Sequence, residues 1–210
     1  MKKIIIIGAS GFGKEIAWVI DRMNQAGSEL GLIGFCDDAP DKQRGTFGGF
    51  PLLGSVEVAA ANLPGSRFIC AIGNNRARQS VVVRACATGL LPQTLIDPTA
   101  VIAPYTTIGI GSFIGIGSIV SVGSIIGNHV IVNHQACVGH DVRLADFAQV
   151  CPGARISGGS DIGEGALLGT NAATIPLTQM GAWSTLGAGT TAYTNLSPQT
   201  TVVRMRGDQR

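Results

Sequence analysis

The sequence predicts an α/β domain with a small, Rossmann-like parallel sheet over residues 1–95, followed by a left-handed parallel β-helix with a C-terminal tail over residues 96–210. Three observations lead to this fold class. Branched aliphatic residues recur at every sixth position through most of the second half. Apolar runs alternate with helical spacing in the first half, which is typical of an α/β domain. Asp97-Pro98, a turn-forming dipeptide, marks the junction between the two.

The six-residue repeat runs from Ile102 to Leu168 with an aliphatic residue at every step. The steps between them are Ile108, Ile114, Val120, Ile126, Val132, Val138, Leu144, Val150, Ile156 and Ile162. A period of six excludes an α-helix, whose period is 3.6, and a simple strand, whose period is 2. A short strand with a tight turn fits, and three such units make one triangular coil, so equivalent positions recur every 18 residues.

A small residue follows each aliphatic residue of the repeat, for example Gly109, Gly115 and Asn133. We expect the aliphatic side chain to point into a narrow core and the small residue to adopt the unusual φ of the turn. The run is interrupted at Thr174 and resumes at Leu186.

The first 95 residues alternate between strand and helix signals, which implies parallel strands with right-handed crossovers. The predicted elements are a strand over 4–7, a glycine-rich turn over 8–13, a helix over 14–25, a strand over 32–36, a helix over 56–61, a strand over 68–72 and a helix over 76–88.

The glycine-rich turn resembles two phosphate-binding motifs without matching either. Gly8-x4-Gly13-Lys14 mimics a phosphate-binding loop, but Glu15 stands where Ser or Thr binds magnesium, and the glycine order is not G-x-G-x-x-G. A strand, a turn and a helix start still offer backbone N–H groups to an anion. Asp37-Asp38, after the second strand, stand where a carboxylate accepts from a ribose or a base. The alternative is that the glycines serve packing and the aspartates only end a strand.

Composition limits the function classes. Charged residues make up 13%, hydrophobic residues 45%, and the net charge is +2 without a basic stripe, so we expect no nucleic-acid partner. So few charges favour an oligomer interface. The five cysteines form no C-x-x-C pair and are expected to be reduced thiols of a cytosolic protein. The apolar run after Lys3 has four residues, too short for a signal peptide or membrane insertion.

The segments I-I-G-A-S-G-F-G-K-E, D-D and V-G-H-D, on this domain order, resemble the NeuD/PglD group of hexapeptide-repeat sugar acetyltransferases. The resemblance implies a bacterial, cytoplasmic homotrimer with sites between subunits and no metal. It implies acetyl transfer from acetyl-CoA to the amine of a UDP-, dTDP- or GDP-linked 4-amino sugar or, in the sialic-acid branch, to a hydroxyl. It places the nucleotide sugar on the N-terminal domain and CoA between adjacent β-helices. The implied nucleotide-sugar contacts are Gly8, Ser10, Gly11, Phe12, Asp37 and Asp38.

The same resemblance gives roles to residues of the β-helix. His140 is the implied general base and Asp141 its orienting carboxylate. Gly158, one coil after His140, is the implied contact of the acetyl group. Many members carry a second histidine where this chain has Gln149, which can donate a hydrogen bond but cannot shuttle a proton. The implied acetyl-CoA contacts are Gln149, Gly158, Thr170 and Ala188.

The sequence is also compatible with two other functional interpretations. His129, His134 and His140 could form the zinc triad of a γ-carbonic-anhydrase-like hydratase, although the expected early histidine and a matching N-terminal domain are missing. The second interpretation is a trimeric scaffold without catalytic activity.

Two arginines of the C-terminal tail, Arg204 and Arg206, stand where they could contact CoA phosphates.

Overall fold

The structure, a computed structural model, describes residues 1–203. The chain divides into two compact units, the first Met1–Pro98 and the second beginning at Thr99. Arg204 and Arg206 lie outside the described residues. No helix within residues 1–203 has the length and apolar character that crossing a membrane requires.

The first unit is an α/β domain built on a four-stranded parallel sheet, whose strands in spatial order are Leu30–Cys36, Lys2–Ile7, Arg67–Cys70 and Leu91–Pro92. Two short strands, Thr46–Phe47 and Phe50–Pro51, pair as an antiparallel hairpin. The elements are β1 (Lys2–Ile7), α1 (Gly11–Gln25), β2 (Leu30–Cys36), a 3₁₀ turn (Pro40–Lys42), β3 (Thr46–Phe47), β4 (Phe50–Pro51), α2 (Val56–Asn62), β5 (Arg67–Cys70), α3 (Asn75–Ala87), β6 (Leu91–Pro92) and β7 (Leu95–Ile96).

The central strand β1 carries the apolar core of this unit, since Ile4 to Ile7 are all buried between two neighbouring strands. Helix α1 begins at Gly11 and not at Lys14, because Ser10 takes the N-cap position and its hydroxyl accepts from the Gly13 N–H at 3.3 Å. Half of the predicted glycine-rich turn is therefore the first turn of a helix.

The second unit is a parallel β-solenoid whose two-residue strands stack in three sheets, consistent with the left-handed β-helix. One sheet has six strands, Val101–Ile102, Ile119–Val120, Cys137–Val138, Arg155–Ile156, Ala173–Thr174 and Thr191–Ala192. A second has five, Thr107–Ile108, Ile125–Ile126, Arg143–Leu144, Asp161–Ile162 and Gln179–Met180. The third contains Phe113–Ile114, Ile131–Val132, Gln149–Val150, Leu167–Leu168, Thr185–Leu186 and Thr201–Val202.

The repeating aliphatic residues fill the interior, as the period predicts. From Ile114 to Leu168 every one of them is at most 2% exposed. The first coil differs, because Ile102 is exposed. The coil also continues through the interruption in the sequence, where Thr174 and Met180 occupy interior positions at 4% and 2% exposure.

The expectation about the small residues was wrong in its cause. Positive φ falls three positions after each aliphatic residue, for example at Gly111 (68°) and Asp141 (56°), and not at the next residue. The residue directly after the aliphatic is small because the neighbouring coil passes close to its backbone. A Cβ on Gly139 would lie 2.8 Å from the Gly158 nitrogen, and one on Gly115 would lie 2.8 Å from the His134 nitrogen.

Candidate active site

A cleft of about 300 Å³ opens in the α/β unit at the carboxyl ends of its central strands. Its lining includes Gly8 after β1 and Ile72 and Gly73 after β5. The chain leaves β1 toward β2 on one side of the sheet, and it leaves the neighbouring strand β5 toward β6 on the other side. Such a topological switch point is where open parallel sheets bind their ligands. Of the predicted contacts, Gly8, Ser10, Asp37 and Asp38 line the cleft. Gly11 and Phe12 are not among the lining residues and lie in the first turn of α1.

Asp37 holds the turn that follows β1. Its carboxylate accepts from the Ala9 N–H at 2.8 Å and from the Ala39 N–H at 3.0 Å. Lys42 donates to the Ala9 carbonyl at 2.9 Å and lies 3.5 Å from the Asp37 carboxylate. The backbone N–H and the backbone carbonyl of Ala9 are thus both hydrogen-bonded, which orders the turn before a ligand arrives.

Asp38 belongs to an ion-pair cluster at the edge of the cleft. Arg84 on α3 donates to Asp38 at 2.7 Å and to Glu57 on α2 at 2.7 Å. The hydrogen bond from Arg84 holds the pKa of the Asp38 carboxyl below its usual value, and the pKa of Glu57 is lowered by the same contact. Neither Lys42 nor Arg84 was singled out in the sequence, because neither follows a local pattern and the Ala9 carbonyl and the Asp38 carboxylate that they contact are far from them along the chain.

His140 and Asp141 form a hydrogen-bonded pair at a corner of the β-helix. The Asp141 carboxylate lies 2.9 Å from His140 Nδ1, and both side chains are exposed in the single chain, at 65% and 71%. With Asp141 accepting from Nδ1–H, the other ring nitrogen, Nε2, carries the free lone pair. A Cβ on Gly123, one coil earlier, would lie 2.6 Å from the Asp141 carboxylate, so that glycine makes room for the pair.

Gly158 lies directly beneath the His140 ring, as the 18-residue spacing predicts. A Cβ on Gly158 would overlap His140 Nε2. Within the described residues, the Gly158 N–H donates no hydrogen bond. The imidazole acceptor and an open backbone donor therefore stand side by side, which is the pair of groups that acyl transfer to an amine requires.

The other predicted acetyl-CoA contacts lie elsewhere on the coil. Thr170 and Ala188 are exposed and share a different corner, one coil apart, with the Gly189 N–H donating to the Thr170 carbonyl at 2.8 Å. Gln149 lies on a sheet, is 8% exposed, and donates to the Cys151 sulfur at 3.6 Å. The single chain does not bring these residues to His140.

Two of the three histidines have structural contacts. His134 Nδ1 accepts from the Ile116 N–H at 3.0 Å, and the His129 ring stacks on Phe147 at 5.3 Å. Asn133 supports its own turn by accepting from the His134 N–H at 2.7 Å. Across residues 1–203, no three His, Cys, Asp or Glu side chains are grouped as metal ligands would be.

Comparison with known proteins gives the family. The model of the PglD N-terminal domain matches residues 3–85. No curated protein sequence matches the chain. The acetyltransferase domain of PglB from Neisseria gonorrhoeae, solved with acetyl coenzyme A, is 34% identical with a TM-score of 0.85, covering 96% of this chain and 95% of that chain.

Two further solved structures agree. A histidine-to-asparagine variant of perosamine N-acetyltransferase from Caulobacter crescentus, in complex with CoA and GDP-perosamine, is 29% identical with a TM-score of 0.86, covering 99% of this chain and 98% of that one. WeeI from Acinetobacter baumannii, at 24% identity and a TM-score of 0.87 over 97% of both chains, shares the fold. The chain combines an α/β unit that matches the PglD N-terminal domain with a hexapeptide β-helix, and it is similar to solved acetyltransferases over almost its whole length. It is therefore an acyltransferase of the PglD/NeuD-type sugar acetyltransferase family.

Proposed function

We propose that this protein transfers the acetyl group of acetyl-CoA to the amine of a nucleotide-linked 4-amino sugar. The observation that carries the proposal is the His140–Asp141 pair above the open Gly158 N–H. The switch-point cleft of the α/β unit supports a nucleotide carrier for the acceptor. Relatives of 29% and 34% identity were solved with CoA and GDP-perosamine and with acetyl coenzyme A, which supports the same pair of substrates here.

In the proposed reaction the sugar amine attacks the thioester carbonyl and forms a C–N bond. His140 Nε2 takes the proton that the nitrogen loses, and Asp141 stabilises the resulting imidazolium through Nδ1–H. The carbonyl oxygen becomes an oxyanion that accepts from the Gly158 N–H. Collapse of the tetrahedral intermediate breaks the C–S bond, and the CoA thiolate leaves with the proton that His140 returns.

A homotrimer is part of the proposal. The β-helix exposes Val101, Ile119, Ile125 and Leu177, with side chains 42% to 74% accessible in the single chain. Apolar surface of this kind favours subunit contacts. Contact between copies would also bring Thr170 and Ala188 of one chain toward His140 of the next, which the single chain does not do.

The proposal is tested by incubating the protein with acetyl-CoA and UDP-, dTDP- or GDP-linked 4-amino sugars and measuring free thiol. One of these acceptors should release CoA at a rate that saturates with both substrates. Transfer to the hydroxyl of a free sialic acid, with none to any nucleotide amino sugar, would assign the chain to the O-acetyltransferase branch.

His140→Ala should lower kcat by a factor of about 10² or more, because removing a general base costs that much. The matched control is Val122→Ala, which shortens the side chain one coil earlier at the same corner and should keep activity. Turnover close to that of the wild type in His140→Ala, at unchanged subunit assembly, would remove His140 from the mechanism.

A further inference from the structure

Thr174 replaces an aliphatic residue at one interior position of the coil, and it lies one coil beyond Ile156. At the corresponding corners the next residue donates its N–H to the ladder carbonyl. The Gly139 N–H donates to the Ile156 carbonyl at 2.8 Å, and the Ser121 N–H donates to the Val138 carbonyl at 2.9 Å. By this rule the Ser157 N–H should donate to the Thr174 carbonyl.

The hydrogen bonds between Ser157 and Thr174 depart from this rule. The Ser157 N–H donates to the Thr174 side-chain oxygen Oγ1 at 3.0 Å, and the Ser157 hydroxyl donates to the Thr174 carbonyl at 2.6 Å. The strand pairing changes at the same place. Arg155 pairs with Ala173, but Ile156 does not pair with Thr174. One buried hydroxyl therefore takes the place of a ladder carbonyl immediately before Gly158.

The peptide that links Ser157 to Gly158 is held from the inside as well. The Ser157 carbonyl accepts from the buried Ser160 hydroxyl at 2.7 Å, and that hydroxyl lies 3.4 Å from Thr174 Oγ1. A trans peptide directs its N–H opposite to its carbonyl. With the Ser157 carbonyl turned inward, the Gly158 N–H is directed outward.

The outward N–H stays open because of the next coil. At another corner two such N–H groups donate to a side chain 18 residues later, Ile110 to Asn128 at 3.0 Å and Asn128 to Asp146 at 2.7 Å. The residue 18 positions after Gly158 is Pro176, whose side chain has no acceptor.

We propose that Thr174 is a positioning residue, which sets the Ser157–Gly158 peptide so that the Gly158 N–H binds the acetyl carbonyl of the substrate. The proposal rests on the acetyl transfer proposed above. Thr174 touches no reacting atom and acts through Ser157 and Ser160. It explains why the interior carries a hydroxyl at this coil, where an aliphatic side chain would fill the core better.

The test is Thr174→Val, which keeps the shape and removes the hydroxyl. The Ser157 N–H then has the Thr174-position carbonyl as its remaining acceptor, and taking it displaces the Gly158 N–H. We expect kcat to fall about tenfold or more, which is a smaller loss than removing an oxyanion donor altogether would cause. The KM for acetyl-CoA should change less than about twofold. The pH profile should keep its shape, because His140 is untouched. Thr174→Ser should restore most of kcat.

Ser112→Ala is the matched control. Ser112 is fully buried at another corner, donates to the Gly127 carbonyl at 2.9 Å and accepts from the Val130 N–H at 3.0 Å. It should lower the melting temperature about as much as Thr174→Val and leave kcat unchanged. Thr174→Ala removes the same hydroxyl and replaces Thr174→Val in the assay if the valine variant does not fold.

A wild-type kcat in Thr174→Val, an equal loss of kcat in Ser112→Ala, or no recovery in Thr174→Ser would each overturn the role of Thr174. Each of these outcomes is compared with a wild-type enzyme that acetylates a nucleotide amino sugar. If the wild type itself acetylates none, the failure belongs to the proposed function.

Discussion

Asp141 combines a polar contact with a backbone conformation that few residues adopt. Its φ is 56°, in the left-handed region, where Asp and Asn are tolerated better than most side chains but glycine best of all. Neighbouring coils place Gly123 and Gly159 at the same position, with φ of 72° and 67°, and the coil after them places Leu177 there, with φ of 62°. The position therefore accepts a side chain at some cost in backbone strain, and Asp141 is distinguished by its carboxylate, which lies 2.9 Å from His140 Nδ1.

Asp141→Gly and Asp141→Asn separate strain from orientation. Both remove the carboxylate that holds His140 Nδ1, so kcat should fall about tenfold to a hundredfold in each, less than the loss of about 10² or more expected when the base itself is removed. Asp141→Gly should also raise the free energy of unfolding by up to about 1 kcal/mol by relieving the left-handed conformation, while Asp141→Asn leaves it nearly unchanged. Steady-state kinetics and urea unfolding measure the two. A fully active Asp141→Gly would show that His140 needs no orienting group.

At the scale of elements, helix α1 lies close to the turn that precedes it because of one glycine. A Cβ on Gly13 would overlap the Gly8 carbonyl oxygen and lie 3.1 Å from the Phe35 ring of β2. A Cβ on Gly11, in the same helical turn, would meet nothing within 4 Å. The two glycines therefore have different roles although both belong to the same glycine-rich motif.

Gly13→Ala should destabilise the protein by about 2 kcal/mol, as overpacking against backbone does. Gly11→Ala is its matched control and should be neutral or more stable by up to about 1 kcal/mol, because alanine is the better helix former. Denaturant unfolding measures both free energies. Equal stabilities of the two variants would show that the close approach at Gly13 relaxes without cost.

The same elements show how far sequence reasoning reaches. The period of six placed His140 on a corner and Gly158 beneath it, because each coil adds a fixed number of residues. It could not tell why the residue after each aliphatic is small, since a close approach of the next coil and a left-handed φ favour the same residue types. The clamp of Ala9 by Asp37 and Lys42 could not be predicted, because it depends on the path of a loop without periodicity.

At the scale of the whole molecule, the residues with predicted acetyl-CoA contacts are divided between corners that one chain keeps apart. Gly158 lies with His140, while Thr170 and Ala188 share another corner. The proposed homotrimer with sites between subunits would resolve this division, because one chain would contribute His140 and its neighbour Ala188.

Complementation between two inactive variants tests that arrangement. His140→Ala removes the base, and Ala188→Trp fills the exposed corner where CoA is expected to pass. Each variant alone should therefore be nearly inactive. Each should still sediment as three copies of the 21.6 kDa chain. After unfolding and refolding as an equal mixture, about one quarter of the sites in a random cyclic trimer pair an intact His140 with an intact Ala188 from the neighbour. Activity near that fraction of the wild type is therefore expected. If both residues served the same site from one chain, every site would carry a defect, and the refolded mixture would stay as inactive as its parents.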